Sequence, residues 1–420
     1  MPKVSVLMPS YNHGRYIAGA IQSVLDQTYQ DWELVITDDG STDDTLAVAR
    51  SFMDPRIKVF DMGRNTGGPL ANANCIANST GEYFAMLSSD DEFLPHKLAA
   101  QVAYMDAHPD AMAVLGYARL IDENGAEMPR SDHNYFEPLK DIPTDRYGWL
   151  RRFFLEGNCL VHPTALTRRA LYTEIFPPDP RFPRTGDLAR WIRTALVGDI
   201  HVIEEDLIKF RMLGAGANAS GNRAEVRVST TWEFVFLLDS FLGIKAAADF
   251  RRVFPDSRYN DKLTDELVPF AIAMEALGVS TDHTYHHSYV IFAVSTLQRV
   301  MSDRALAGNI ERAFGFTYRE FMALKGRADI SNIEKLRDLQ EKADQIWKSL
   351  QWELDARKQA QSAHELAAAQ LHECNTQMLG IKSSRAYRSG SAMVDAIRSV
   401  WKIPLIPFIV LRELMRKGGS

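Results

Sequence analysis

Within its first hundred residues this chain alternates short apolar runs with amphipathic stretches, and each apolar run ends in a polar cluster. Val4–Met8 is a continuous apolar run, and Tyr16–Leu25 then places Ile17, Ile21, Val24 and Leu25 on one helical face. Trp32–Thr37, Ile57–Phe60 and Tyr83–Leu87 read as further strands, with helical patterns over Thr45–Phe52 and Leu70–Ala77. Strands that alternate with helices predict an α/β fold with a parallel sheet covered on both faces. Ligands of such sheets bind beyond the carboxyl ends of the strands. Pro9-Ser10-Tyr11-Asn12, Asp38-Asp39-Gly40-Ser41 and Ser88-Ser89-Asp90-Asp91 all fall at those ends, which predicts one site there.

Composition narrows the class of partner. With a formal charge of −6, the 420-residue chain gives no reason to expect a nucleic-acid partner. Its three cysteines, Cys75, Cys159 and Cys374, are widely spaced and form no C-x-x-C pair, against a disulfide framework or structural zinc. Met1–Val6 enters the first strand pattern without an apolar leader, so a cytoplasmic protein is expected.

At this length two or three folded units are expected. Gly214–Ala224 reads as a mobile loop, and Val226–Arg327 as a helical packing domain without a chemical motif. The expected divisions are 1–220, 221–330, 331–379 and 380–420. In Ser331–Leu379, Leu336, Leu339, Ala343, Ile346 and Leu350 keep a 3-4 spacing. That suits either a coiled coil joining copies into a homo-oligomer or a long helix docked on its own chain. Leu379–Ser420 carries eight basic residues against two acidic ones, around the apolar run Val400–Leu411. The run is too short to span a bilayer and suits an amphipathic tail lying on an anionic membrane surface. The alternative is a segment that caps the C-terminal region.

The strand-end side chains suggest their chemistry. Adjacent carboxylates at Asp90 and Asp91 suit Mg²⁺ or Mn²⁺ shared with phosphates. Asp39, on a turn with Gly40, suits hydrogen bonds from a base or ribose, and Tyr11 suits stacking on a nucleobase.

Taken in order, Val4–Asn12, Ile21–Tyr29, Glu33–Asp43, Asn65-Thr66-Gly67-Gly68, Asn74, Gly81-Glu82-Tyr83 and Ser88–Glu92 resemble glycosyltransferase family 2 over roughly residues 3–220. The resemblance implies a GT-A fold and a metal-dependent, inverting transfer from a nucleotide-diphosphate sugar, such as a UDP-sugar. Carried onto this sequence, Pro9, Ser10, Tyr11, Asn12 and Asp39 would hold the nucleoside. Asp90 would meet the ribose or sugar side, and Asp91 would bind Mn²⁺ or Mg²⁺ through the diphosphate. Gly186-Asp187-Leu188-Ala189-Arg190-Trp191 matches the family's segment with the general base, which makes Asp187 the catalytic residue. Three positions depart from the pattern: Ala73 where an Arg is frequent, Ser88 in place of a further Asp, and Leu213 where His is common after Lys209-Phe210-Arg211. His162, within Asn158–Pro163, is a candidate for the acceptor side or for a structural role.

Ser383-Ser384-Arg385-Ala386-Tyr387-Arg388 is similar to a segment of bacterial surface-polysaccharide enzymes. The implied partner is a glycan or lipid-linked glycan acceptor, as in O-antigen or lipopolysaccharide synthesis, met at the cytoplasmic face of the membrane. The competing readings are a nucleotidyltransferase, whose basic Gly-rich phosphate loop is missing after the first strand, and a catalytically silent membrane-tethered scaffold.

Overall fold

The computed structural model describes residues 1–132, 134–213 and 224–327, with isolated positions between 342 and 376. Residues 214–223 of the expected mobile loop, nearly all of 331–379 with its expected coiled coil, and the basic tail of 380–420 therefore lie outside the described residues. Two compact units are present: Met1–Arg223 with Phe236–Val268, and Ala224–Val235 with Pro269–Ser420.

The first unit is α/β, built on a nine-stranded sheet. Its opening half follows the sequence pattern: β1 (Val4–Ser10), α1 (Gly14–Leu25), β2 (Trp32–Asp38), α2 (Thr45–Arg50), β3 (Ile57–Asp61), α3 (Gly68–Ala77) and β4 (Tyr83–Met86). β1 is central and buried because both faces are covered, which is why it reads as an unbroken apolar run. β2 and β4 flank β1, and all of these strands run parallel.

The second half departs from the expected parallel sheet. β5 (Glu92–Phe93), α4 (Lys97–Ala107), β6 (Ala111–Ile121), β7 (Glu127–Met128), α5 (Arg146–Glu156), β8 (Leu166–Arg168), α6 (Gly186–Val197) and β9 (Asp199–Arg211) follow. The order is β3-β2-β1-β4-β8-β6-β9-β5, with β7 beside β6. β8 runs antiparallel to both β4 and β6, and β5 antiparallel to β9, so the sheet is mixed. The first-half rule fails here because β8 and β5 are too short to show a period in the sequence. The remainder of this unit, including α8 (Ala247–Val253), packs through Phe154, whose ring meets Phe241 and Phe254 edge-on at 5.0 Å each.

The second unit is helical, with most of α7 (Ala224–Leu238), then α9 (Val268–Leu277), α10 (His286–Ser302), α11 (Arg304–Phe314) and α12 (Tyr318–Arg327). Phe270 stacks on Phe314 at 5.3 Å, and Phe234 stacks on Tyr285 at 4.2 Å. None of the described helices is long and apolar enough to cross a membrane.

One buried acid ties the parallel strands together beneath the site. Glu33 on β2 accepts from Ser5 on β1 at 2.6 Å, from the Thr80 amide and hydroxyl, and from Lys58 on β3 at 2.6 Å. Burial alone would raise its pKa, but these donors more than offset that and hold it below the ordinary 4.5. Ser5 in turn accepts from the Gly81 amide at 2.8 Å, and a Cβ at Gly81 would stand 2.6 Å from the Ser5 nitrogen.

Glu33→Ala should lower unfolding free energy by about 3 kcal/mol, because it leaves buried donors unmatched. A depressed acid adds stability above its unfolded pKa and loses it below. The gap between wild type and Glu33→Gln, read by denaturant unfolding, should be full at pH 7 and shrink as pH falls below 4.5.

Candidate active site

Strand order reverses at β1, which opens a crevice at the carboxyl ends of β1 and β4. The predicted polar clusters meet there. Half-buried Pro9 and buried Ser10 end β1, and the Ser10 carbonyl accepts from the Asp39 amide at 2.8 Å. Tyr11 is 41% exposed, as a stacking platform needs. Asn12 adopts φ of 53°, a left-handed conformation that Asn tolerates. It accepts from the Thr42 amide at 2.8 Å and donates its own amide to Ser41. The two loops are thus laced together.

Asp39 does not stand open to a ligand, as its turn position suggests. Its Oδ1 accepts from the Thr66 amide and hydroxyl, both at 2.7 Å, and its Oδ2 from the Gly67 amide at 2.8 Å. The carboxylate therefore sets the Asn65–Gly67 loop against the β2 end. A carboxylate has about four acceptor positions, so one remains for a nucleoside donor. Next to it Gly40 has φ of 71°, and a Cβ there would fall 2.4 Å from the Arg64 backbone. No side chain fits that approach.

Asp90 and Asp91 close the other side of the crevice, both buried. Asp91 Oδ1 accepts from the Arg211 amide at 2.8 Å. Its Oδ2 is buried and has no hydrogen-bond partner among the described residues. Asp90 faces His13, whose Nδ1 lies 3.9 Å from the carboxylate and 2.8 Å from the Ser89 hydroxyl. Burial pushes the pKa of Asp90 up, with His13 partly opposing the rise. Burial and the neighbouring Asp90 charge push Asp91 well above the usual carboxylate range. A buried carboxylate oxygen without a donor, beside a second carboxylate, fits a hard divalent cation such as Mg²⁺ or Mn²⁺.

Arg211 organises this corner. Its Nε donates to the Asp90 carbonyl at 2.8 Å, one terminal nitrogen to Glu92 at 3.0 Å and the other to the Asp122 carbonyl at 3.1 Å. The guanidinium also lies 5.0 Å from the centre of the Tyr16 ring. In the sequence the segment Lys209–Leu213 stands out only as a motif without its His; the hub is the Arg within it. His13 carries no sequence signal beyond its place after the Pro-Ser-Tyr-Asn cluster, and Ser89 none beyond membership of the Ser-Ser-Asp-Asp cluster.

Asp187 belongs to a second arm. It lies in the first turn of α6, where the helix dipole favours an acid. Its Oδ1 accepts from the Leu188 amide at 2.8 Å and its Oδ2 from the Asn158 side chain at 2.7 Å. Burial raises its pKa, and these donors with Arg190 offset only part of the rise. His162 is a wall residue: its ring lies 5.3 Å from Trp191, its Nδ1 is buried without a partner among the described residues, and burial pushes it down to about 3. It is therefore neutral and no proton carrier near pH 7. The arms connect through one loop. Tyr135 donates to the Leu160 carbonyl at 2.6 Å, and the next residue, Phe136, packs on Phe210 at 4.8 Å, one position before Arg211.

Known proteins resemble this chain over its first half. The profile of Glycosyl transferase family 2 matches residues 5–176. An uncharacterized glycosyltransferase of Nostoc sp. is 31% identical over 230 residues, covering 53% of this chain and 68% of that protein. Bacillus subtilis TuaG, whose name assigns it to teichuronic acid biosynthesis, is 36% identical over 134 residues, covering 31% of this chain and 53% of its own. The crystal structure of Staphylococcus aureus TarS 1–349 in complex with UDP-GlcNAc has a TM-score of 0.44 and 20% identity, covering 75% of this chain and 93% of that one. Coverage of the relatives themselves is partial, from 34% of a Rickettsia felis protein upward. With its profile on the crevice-bearing half of the sheet and a relative matched over two thirds of its length, the chain belongs to glycosyltransferase family 2.

Proposed function

We propose that the protein is an inverting glycosyltransferase that moves a sugar from a nucleotide diphosphate to a hydroxyl of a growing surface glycan. One observation carries the reading: a buried carboxylate pair with an unpartnered oxygen, at the switch point of a family 2 sheet. Tyr11 offers the nucleobase a face, while Asn12 and Asp39 keep the two loops beneath the nucleoside in register. Asp90 meets the sugar side of the donor. Asp91 is the residue suited to hold Mn²⁺ or Mg²⁺, which when bound supplies positive charge against the diphosphate.

Asp187 then takes the proton of the acceptor hydroxyl while the hydroxyl oxygen forms the new bond to the anomeric carbon. The bond from that carbon to the diphosphate oxygen breaks on the opposite face, and the nucleoside diphosphate leaves with the electron pair. The raised pKa suits this role, because a more basic carboxylate is a better proton acceptor, provided the medium keeps it ionised.

The class of acceptor rests on the family relatives and on the tail. A name in teichuronic acid biosynthesis supports polysaccharide synthesis. The basic, apolar segment 380–420 supports a lipid-linked acceptor met at an anionic membrane surface from the cytoplasmic side. The 3-4 pattern of 331–379 supports a homo-oligomer.

With a panel of UDP-, GDP- and dTDP-sugars, Asp187→Asn should cut turnover roughly 10²–10⁴-fold. Asp91→Ala should cut it about 100-fold or more. Unchanged rates in both would remove the mechanism. A base acts deprotonated, so kcat/KM should fall with falling pH on a limb centred above 3.8, the ordinary Asp value. Finally, the full chain should sediment with phosphatidylserine vesicles less as salt rises, and a chain ending at Gly380 should stay in solution. Equal sedimentation of the two would sink the membrane assignment.

A further inference from the structure

Asn158 sits immediately after the loop that closes α5, 29 residues before Asp187 in the chain, yet its side chain makes two contacts at once. Its Oδ1 accepts from the Leu160 amide at 3.1 Å, which settles which end of the amide is which. The Nδ2 end is therefore the one turned to Asp187, and it donates to Oδ2 at 2.7 Å. The Leu160 carbonyl is held in turn by the Tyr135 hydroxyl at 2.6 Å. The other carboxylate oxygen, Oδ1, is fixed by the Leu188 amide of α6. Each oxygen thus receives one donor from a rigid source, and the carboxylate cannot turn about its Cβ–Cγ bond without losing both.

We propose that Asn158 is the positioning residue for Asp187: it fixes the plane of the carboxylate so that one acceptor position on each oxygen points free for the substrate hydroxyl. The proposal rests on Asp187 being the base. An ionised carboxylate accepts at about four positions, of which two are taken here. A base that rotates must be re-aimed at each turnover, and misaim of about 1 Å costs up to roughly 100-fold in rate. The alternative role, a strut for the loop alone, needs only the Leu160 contact and makes no use of the Nδ2 donor.

Among the described residues few groups face Asp187. Arg190 lies on its own helix, and Tyr135 and Tyr172 approach from neighbouring segments, each close enough to feel the carboxylate charge. Cys159 interacts with Tyr135, but burial pushes its thiol up to about 12, so it stays neutral. Loss of the Asn158 donor therefore leaves Arg190 as the nearby cation that still favours the ionised carboxylate.

The test uses the full chain with carbon-13 in the aspartate carboxyls. The Asp187 signal is the one that disappears in Asp187→Asn, and its titration midpoint is read with no need for turnover. In Asn158→Ala the midpoint should rise. In the near-isosteric Asn158→Asp, a second carboxylate should raise it by about one pH unit or more. With the nucleotide sugar that turns over in the panel, Asn158→Ala should lose roughly 10- to 100-fold in kcat at unchanged donor KM. Binding of that sugar's nucleoside diphosphate by calorimetry, equal to wild type, reports that the nucleotide arm has folded.

An unaltered Asp187 midpoint in both variants overturns the proposal, as does a loss confined to donor KM. Full turnover in Asp187→Asn instead removes the base reading, whatever Asn158 does. A variant that fails to bind that nucleoside diphosphate is replaced by Tyr135→Phe, which removes the donor to the Leu160 carbonyl. The midpoint should then rise by less than in Asn158→Asp, and no movement counts against the proposal.

Discussion

Two adjacent carboxylates buried at the end of one strand are expensive, and the architecture around them is arranged to tolerate that cost. Desolvation disfavours the charge on each, and each raises the energy of the other. Arg211 is the counterweight, but a divided one. Its main-chain amide serves Asp91, its Nε the Asp90 carbonyl, and its terminal nitrogens Glu92 and the Asp122 carbonyl. It therefore fixes the positions of β5, the β6–β7 turn and the end of β9 about one point without fully neutralising the pair. The pair stands at the crevice where the strand order reverses, the place the proposal gives to a cation and a diphosphate.

The sequence was legible where the chain is buried on both faces. β1 and β2 show as apolar runs because a central parallel strand has no solvent side, and the polar clusters mark the ends where the chain leaves the apolar layer. Legibility stops where pairing is long-range and short. β8 spans Leu166–Arg168 and β5 spans Glu92–Phe93, lengths that carry no period, yet they make the sheet mixed. The site divides in the same way. The identities of Asp39, Asp90, Asp91 and Asp187 followed from ordered motifs. Their partners did not: Thr66 and Gly67 reach Asp39 across 27 and 28 residues, and Asn158 reaches Asp187 across 29. Hydrogen bonds between loops depend on how the sheet folds the chain back, and no local pattern records that.

Within this one domain the buried acids form a series that separates structural from functional use. Glu33 is saturated: four donors from three elements reach it, and its pKa is driven below the ordinary value. Asp39 is nearly so, with three donors from one loop, and it holds that loop while keeping an acceptor position. Asp187 has one donor on each oxygen and a raised pKa, the state that suits the proposed base. Asp91 has the Arg211 amide on one oxygen and, among the described residues, no partner on the other, and it is pushed furthest up.

The order of that series follows from solvation. A buried carboxylate must recover from protein what it lost in water, and each missing donor raises its affinity for a proton or a cation. Selection for stability alone would saturate all four, as it has Glu33, because unsatisfied oxygens cost free energy and return none to the fold. Among these four the unsaturation is greatest at Asp91, at the switch point, and at Asp187 on α6, the two where the proposed chemistry requires a charge to be met by something other than the protein; Asp38, at the end of β2, likewise keeps a buried Oδ1 without a partner among the described residues. Lys97 marks the same boundary from the cationic side. It is fully buried, donates to Gln101 and to the Thr164 and Ala165 carbonyls, and burial lowers it to about 7. Its ammonium finds neutral acceptors rather than a carboxylate, so it braces α4 against the segment before β8 and takes no charge from the crevice.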